Sequence, residues 1–232
     1  MKKSIYIFVC TFFLVSMLSC AKGFKGSGIS ELKTDKEKTG YAVGQNIGNS
    51  LREAKGHISM EALVAGMNDA MDKRKALLTR EEANALMASL GKKITEENRK
   101  KAEINLAKGI KYLKANRKKK GVVETPSGLQ YKVIQKGSGR IPTADDTVKV
   151  HYRGSLIDGT EFDSSYSRNE PTVFNVGRVI AGWTEALQLM PEGSKYLLTI
   201  PSNLAYGENP SGKEIGPNSV LIFEVELLEI LK

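Results

Sequence analysis

The sequence predicts a two-part chain of class α+β. An all-helical N-terminal domain with a long connecting helix comes first, followed by an antiparallel β-sheet wrapped around one short helix. Three observations carry this prediction. Apolar residues recur at helical spacing through the first half and alternate at strand spacing after Gly121. No proline interrupts the stretch from Thr79 to Lys119. Charge changes sign at the same place: residues 22–120 carry 23 basic and 12 acidic side chains, and residues 121–232 carry 10 and 14. Such a change suggests two parts with different tasks.

The length of 232 residues accommodates two small domains, each with its own core. A hydrophobic fraction of 41% excludes wholesale disorder and a multi-span membrane protein. The first 20 residues stand apart. Lys2 and Lys3 precede a nearly unbroken apolar run from Ile5 to Leu18, which has the anatomy of a secretory signal and is short for a membrane span. The run ends in "LSC", and Ser19-Cys20 resembles a bacterial lipobox in which the cysteine is acylated and becomes the new N-terminus. Leu18 stands where such motifs usually carry a small residue, and an ordinary signal peptide is the alternative. Loss of Cys10 with the signal leaves Cys20 alone, so neither an intramolecular disulfide nor a multi-cysteine metal site is available. Residues 21–33, beginning "AKGFKGSG", read as a flexible tether.

Residues 34–120 read as helices. From Thr34 to Ala54, Val43, Ile47 and Leu51 fall four apart on one face. Ser59 caps a second helix, in which Leu63, Met67, Ala70 and Met71 keep helical spacing. Thr79 caps a third, with Glu81 and Glu82 in its electropositive first turn. Continuous to about Lys119, that helix of roughly 40 residues would extend about 60 Å; Gly91 and Gly109 weaken it without breaking it. The segment before it is too short to enclose its own apolar stripes. Two readings follow: pairing with a second copy, or folding back on the C-terminal domain. The basic run Arg117–Lys120 reads as a solvated helix end. It lacks interleaved aromatics, so nucleic acid is not expected as a partner.

Residues 121–232 read as strands. "GLQYKVIQKG" alternates Leu129, Tyr131 and Val133 with polar neighbours. "DTVKVHYRGSLIDGTEF" reads as a hairpin in which Asp158-Gly159 forms a two-residue turn. "SKYLLTIPS" is a further strand, and "VLIFEVELLEIL" alternates Leu221, Phe223, Val225 and Leu227 against Glu224 and Glu226. Between them Ile180–Met190 reads as the single short helix, starting near Gly182 and ending before Pro191.

The usual catalytic devices are missing from the sequence. His57 and His151 are far apart, with no carboxylate–histidine metal spacing. "GSG" at Gly137–Gly139 opens no helix, and no serine lies in a nucleophile elbow. No metal or cofactor is expected. What remains is an aromatic set, Tyr152, Phe162, Trp183, Tyr206 and Phe223, spread over separate elements. By pattern alone such a set is core or pocket.

Three successive stretches decide between these: "VKVHYRGSLIDGTEFDSSYSRNEP", "VIAGWTEALQLMPEGSKYLLTIPSNLAYG" and "LIFEVELL". In order and spacing they resemble the FK506-binding-protein (FKBP) prolyl isomerase family over Thr125 to Lys232. "YAVGQNIGNSLRE" and "ISMEALVAGMNDAMDKRKALLTREEANALM" are similar to the helical dimerisation module of the macrophage-infectivity-potentiator class of envelope FKBPs. The resemblance implies an FKBP-like fold and a pocket built from Tyr152, Phe162, Asp163, Arg168, Phe174, Val179, Ile180, Trp183, Tyr206, Ile215 and Phe223. It implies that Trp183 floors the cavity for the proline ring while Tyr152, Phe162 and Phe223 wall it. The Ile180 amide and the Tyr206 hydroxyl would hold substrate carbonyls. Asp163, paired with Tyr152 and Arg168, would face the rotating carbonyl. For Asp163, a role that only pins Arg168 stays open beside the catalytic one.

Departures from the family pattern fall at Thr172, a position often aromatic, at Ser211, Glu214 and Gly216 in the long loop, and in a shorter bulge before Val179. They bear on substrate preference and on inhibition by FK506-like macrolides. The resemblance further implies a homodimer, lipid-anchored in the bacterial envelope and facing the periplasm from the outer membrane. It would act on proline-containing unfolded or exported proteins as isomerase and chaperone. A non-catalytic envelope module that holds peptides in the same groove is the alternative.

Overall fold

The structure, a computed structural model, describes residues 29–231. The signal segment, Cys20 and the tether before Ile29 lie outside the described residues. The chain divides into two compact units, one ending at Leu86 and one beginning at Met87, so the division falls inside the third helix.

In the first unit, α1 (Asp35–Ser50) starts at a capping box. The Glu37 amide donates to Thr34 Oγ1 at 3.2 Å and the Thr34 amide donates to Glu37 Oε2 at 2.9 Å. α2 (Met60–Met71) starts where Ser59 Oγ accepts from the Ala62 amide at 3.2 Å. The Ser59 cap stands where the sequence places it, and the Thr34 capping box is an addition the structure makes. Neither helix buries a single residue. Their apolar faces instead line an open groove of about 490 Å³, with Ile47, Leu51, Met60, Leu63, Val64 and Met67 on its walls. α3 (Arg80–Asn116) follows from a second reciprocal cap between Thr79 and Glu82 and runs 37 residues. It stops short of Lys119, and Arg117–Lys120 form an exposed turn.

The second unit contains seven strands: β1 (Val122–Glu124), β2 (Gln130–Gln135), β3 (Thr147–Leu156), β4 (Glu161–Ser164), β5 (Thr172–Asn175), β6 (Lys195–Ile200) and β7 (Leu221–Leu231). They pair antiparallel in the order β1-β2-β6-β7-β3-β4. β5 shares the outer edge of β3 with β4, taking Thr147–Val150 and leaving Arg153–Ser155 to β4. α4 (Ala181–Leu187) buries Trp183, Ala186 and Leu187, which join a core containing Val148, Val150, Leu198, Ile200, Leu221, Val225 and Leu227, all fully buried. β7 alternates as its sequence predicts, with Leu221, Phe223, Val225 and Leu227 inward.

Three details differ from the sequence reading. The hairpin turn is longer than two residues: Gly159 alone takes a positive φ (89°), and the Leu156 amide donates to Thr160 O across the loop. Asp158 does not take a positive φ and its carboxylate accepts from the Thr160 amide at 3.0 Å, so the connection is a wider turn closed by a left-handed glycine. β1 and β5 are additional strands. Gln130, expected on the wet face of β2, is buried, because its amide donates to Leu113 O at 3.0 Å and to Glu124 Oε2 at 2.6 Å.

Candidate functional site

β3 brings Tyr152 inward, β4 brings Phe162 and Asp163, β5 brings Phe174, β7 brings Phe223, and the N-terminal turn of α4 sets Trp183 among them. The rings meet edge to face around the indole. Tyr152 lies 5.4 Å away at 87°, Phe174 5.5 Å at 75°, and Phe223 5.2 Å at 88°. Phe162 continues the wall, edge-on to Phe223 at 5.4 Å. This is the arrangement ring quadrupoles favour, and it holds each ring in place. Gly154 makes it sterically possible: a Cβ there would stand 2.6 Å from Phe162 and 2.7 Å from Phe223.

Above the rings opens a cleft of about 640 Å³. Ten of the eleven residues the family resemblance assigns to the pocket line it, and Arg168 is the exception. Arg168 reaches the site through its partners instead. Its guanidinium donates to Asp163 Oδ1 at 2.6 Å, to the Tyr152 hydroxyl at 3.0 Å and to Thr172 Oγ1 at 3.4 Å. The Tyr152 hydroxyl in turn donates to Asp163 Oδ2 at 2.5 Å. Both carboxylate oxygens are thus occupied and the acid cannot swing. Partial burial pushes the Asp163 carboxyl up, but the bonds from Tyr152 and Arg168 outweigh it, and Asp163 titrates below the ordinary 3.8. Burial, then the bond to Asp163, raises the Tyr152 phenol above 10.0. Thr172, in place of an aromatic, supplies an acceptor to Arg168.

The open side differs in character. Tyr206 is 40% exposed, and its hydroxyl makes no hydrogen bond among the described residues. The Ile180 amide, just before α4, likewise has no acceptor among them. Two donors therefore stand free at a cleft whose floor is apolar. Ser211–Ile215 form the far rim, joined by a Ser211 amide bond to Ile215 O at 2.8 Å.

Sequence reasoning missed Arg178 and Lys213, which also line the cleft, because exposed cations carry no periodic signal. It also missed Ser165, whose hydroxyl accepts from the Tyr152 amide at 2.8 Å and donates to the Tyr152 carbonyl at 3.2 Å, fixing the backbone beneath the phenol. Cys20, the expected lipidation site, lies outside the described residues.

Residues 138–228 match the family described as FKBP-type peptidyl-prolyl cis-trans isomerase. Residues 36–133 match the domain amino terminal to FKBP-type peptidyl-prolyl isomerase. The chain is 42% identical to the outer membrane protein MIP of Legionella longbeachae, over 93% of this chain and 94% of the other. It is 46% identical to the FKBP-type 22 kDa peptidyl-prolyl cis-trans isomerase of Escherichia coli, over 85% and 97%. Among solved structures it resembles FkpA from Escherichia coli, with a TM-score of 0.62 at 39% identity, covering 86% of this chain and 98% of that one.

Proposed function

The chain belongs to the FKBP-type peptidyl-prolyl cis-trans isomerase family, and from that premise we propose how its cleft turns an X–Pro bond and where it does so. The protein is a peptidyl-prolyl cis-trans isomerase acting on proline-containing chains. Rotation about the bond makes and breaks no covalent bond, so neither nucleophile nor general base is required. The barrier of about 18–20 kcal/mol comes from amide resonance. Resonance separates charge, which water stabilises and an aromatic floor does not. A proline ring seated on Trp183 between Tyr152, Phe162 and Phe223 therefore meets a medium that favours the twisted amide.

The observation carrying this reading is the immobilised acid at the edge of that floor. Asp163, held by Tyr152 and Arg168, presents a fixed charge that interacts differently with the planar and the rotated carbonyl. Pinning Arg168 and acting on the carbonyl are then one arrangement. The free Tyr206 hydroxyl and Ile180 amide hold the flanking carbonyls, and Phe174, Val179 and Ile215 close the apolar surround. A barrier lowered by ~5 kcal/mol would speed rotation several thousandfold. The same floor would take the ring of an FK506-like macrolide, making such compounds candidate inhibitors.

The apolar groove between α1 and α2 supports a homodimer, in which a second copy covers it. Two clefts in one particle would hold an unfolded client at one while the other acts, giving chaperone activity through effective concentration. The signal segment and Ser19-Cys20 support export and lipid anchoring, and the similarity to an outer membrane protein of Legionella longbeachae supports a place in the envelope.

A proline-limited refolding assay, run beside isomerisation of a short X–Pro peptide, tests the site. The intact protein accelerates both, and Asp163→Leu or Tyr206→Phe lowers kcat/KM without unfolding the chain. Full activity in both variants removes the assigned roles.

A further inference from the structure

Within the second unit, α3 is in contact at successive turns of one face. Ala102, Asn105, Gly109, Leu113 and Asn116, three or four residues apart, are buried or half-buried, while Glu103, Ile104, Leu106, Lys108 and Ile110 between them are exposed. At its C-terminal end Asn116 Nδ2 donates to Gln130 Oε1 at 2.9 Å and to Thr199 Oγ1 at 3.2 Å, tying the helix to β2 and β6. Higher up, the helix grips a different part of the domain. Asn105 Nδ2 donates to Pro217 O at 2.8 Å, and Asn218 Nδ2 donates to Ala102 O at 3.5 Å. Gly109 is buried, and a Cβ there would stand 2.8 Å from Val220 Cγ2. Gly91, on the same helix, has nothing within 4 Å of such a Cβ.

Pro217, Asn218 and Val220 form the base of the loop whose tip, Ser211–Ile215, is the rim of the cleft. The loop closes on itself at that base, where the Asn218 amide donates to Gly207 O at 2.7 Å, directly after Tyr206. Asn218 holds a left-handed φ of 55°, a conformation asparagine tolerates better than most residues. The base is therefore anchored on one side to the residue after Tyr206 and on the other to α3.

We propose that Asn105 and Gly109 are positioning residues for the isomerase site: through Pro217 and Val220 they set the placement of the rim loop and of Tyr206 over the substrate. Asn105 supplies the bond that fixes the base, and Gly109 supplies the close approach that brings the helix within reach of it. A rim set from the helix that precedes the sheet acts on how substrate is held more than on the rotation over Trp183. This rests on the assignment of the cleft as the substrate site.

The test uses the full chain and a short X–Pro peptide, with kcat and KM measured separately. Asn105→Ala, and the near-isosteric Asn105→Asp that lacks the donor, raise KM by up to about fivefold, the factor one hydrogen bond carries, with kcat changed less than about twofold. Gly109→Ala, which favours the helix but crowds Val220, raises KM in the same way. Adding Val220→Ala to it, which removes the crowding methyl, returns KM toward the intact value. Unchanged kinetics, a lowered denaturation midpoint with unaltered KM, a loss confined to kcat, or no recovery in the double variant overturns the proposal. An intact protein that does not isomerise the peptide overturns the site assignment beneath it.

Discussion

α1 and α2 carry Val43, Ile47, Leu63, Val64 and Met67, yet neither helix buries one residue. The sheet unit is the reverse. Leu198, Ile200, Leu221, Val225 and Leu227 are wholly enclosed, and even the cleft residues Tyr152, Trp183 and Phe223 belong to the core. The helical unit is shaped by local chemistry, through caps at Thr34, Ser59 and Thr79. The sheet unit is shaped by long-range pairing and burial. One encloses its own core and holds its cleft within it, and the other leaves its apolar faces lining an open groove.

The largest contrast is in stability. Leu198→Ala removes fully buried methyls and lowers the unfolding free energy of the sheet unit by about 2–5 kcal/mol, read from denaturant titration of Trp183 emission. Leu63→Ala, on the groove wall, costs less than about 1 kcal/mol in dilute solution, read by circular dichroism, and more as protein concentration rises. An equal, concentration-independent cost at both positions would mean that the helices own a core and would break the comparison.

A charge in the groove sharpens it. Met67→Lys places an unpaired ammonium where the second copy would pack and weakens self-association at least about a hundredfold. Sedimentation then reports a monomer, while peptide isomerisation stays within about twofold because Met67 is remote from the chemistry in sequence and unit. An unaltered dimer in this variant would assign the groove to something other than self-association.

The smallest effect is that of pH on the cleft. Asp163 titrates below its ordinary 3.8, so its contribution to the folded site is complete above that value and fades as pH falls through the depressed one. Peptide isomerisation and the Trp183 emission of the cleft should stay level down to about pH 4 and decline together below it. Asp163→Asn should remove that acid limb. Early loss centred near pH 6 would point to a histidine instead.

The same contrast explains what the sequence made legible. Caps act over three residues, so Ser59 and Thr79 could be read directly. β7 was legible because alternation from Leu221 to Leu227 leaves little choice. β1 and β5, of three and four residues, exist only through their partners, and no local signal marks them. The Asp-Gly pair suggested a tighter turn than the one formed, since loop length is set by the bulge where β4 meets β3. The aromatic set alone left core and pocket open, and the structure makes it both. The motif resemblance supplied the cleft wall, including the free Tyr206. It could not supply Arg178 or Lys213, whose place depends on loop conformation. Gly91 and Gly109 look alike in sequence, and only the packing of Val220 separates them.

The knot of Asn116, Gln130 and Thr199 bears on how such a protein can be dissected or recombined. Cutting before Gly121, at the visible change of pattern, carries off Asn116 and leaves Gln130 Oε1 facing the space the asparagine filled. It also takes away Leu113 O, the acceptor for the Gln130 amide, and uncovers Val220. A cut before Met87 keeps all of these together. The catalytic unit therefore extends some way up the helix, and its seam lies within a regular element where no linker marks it.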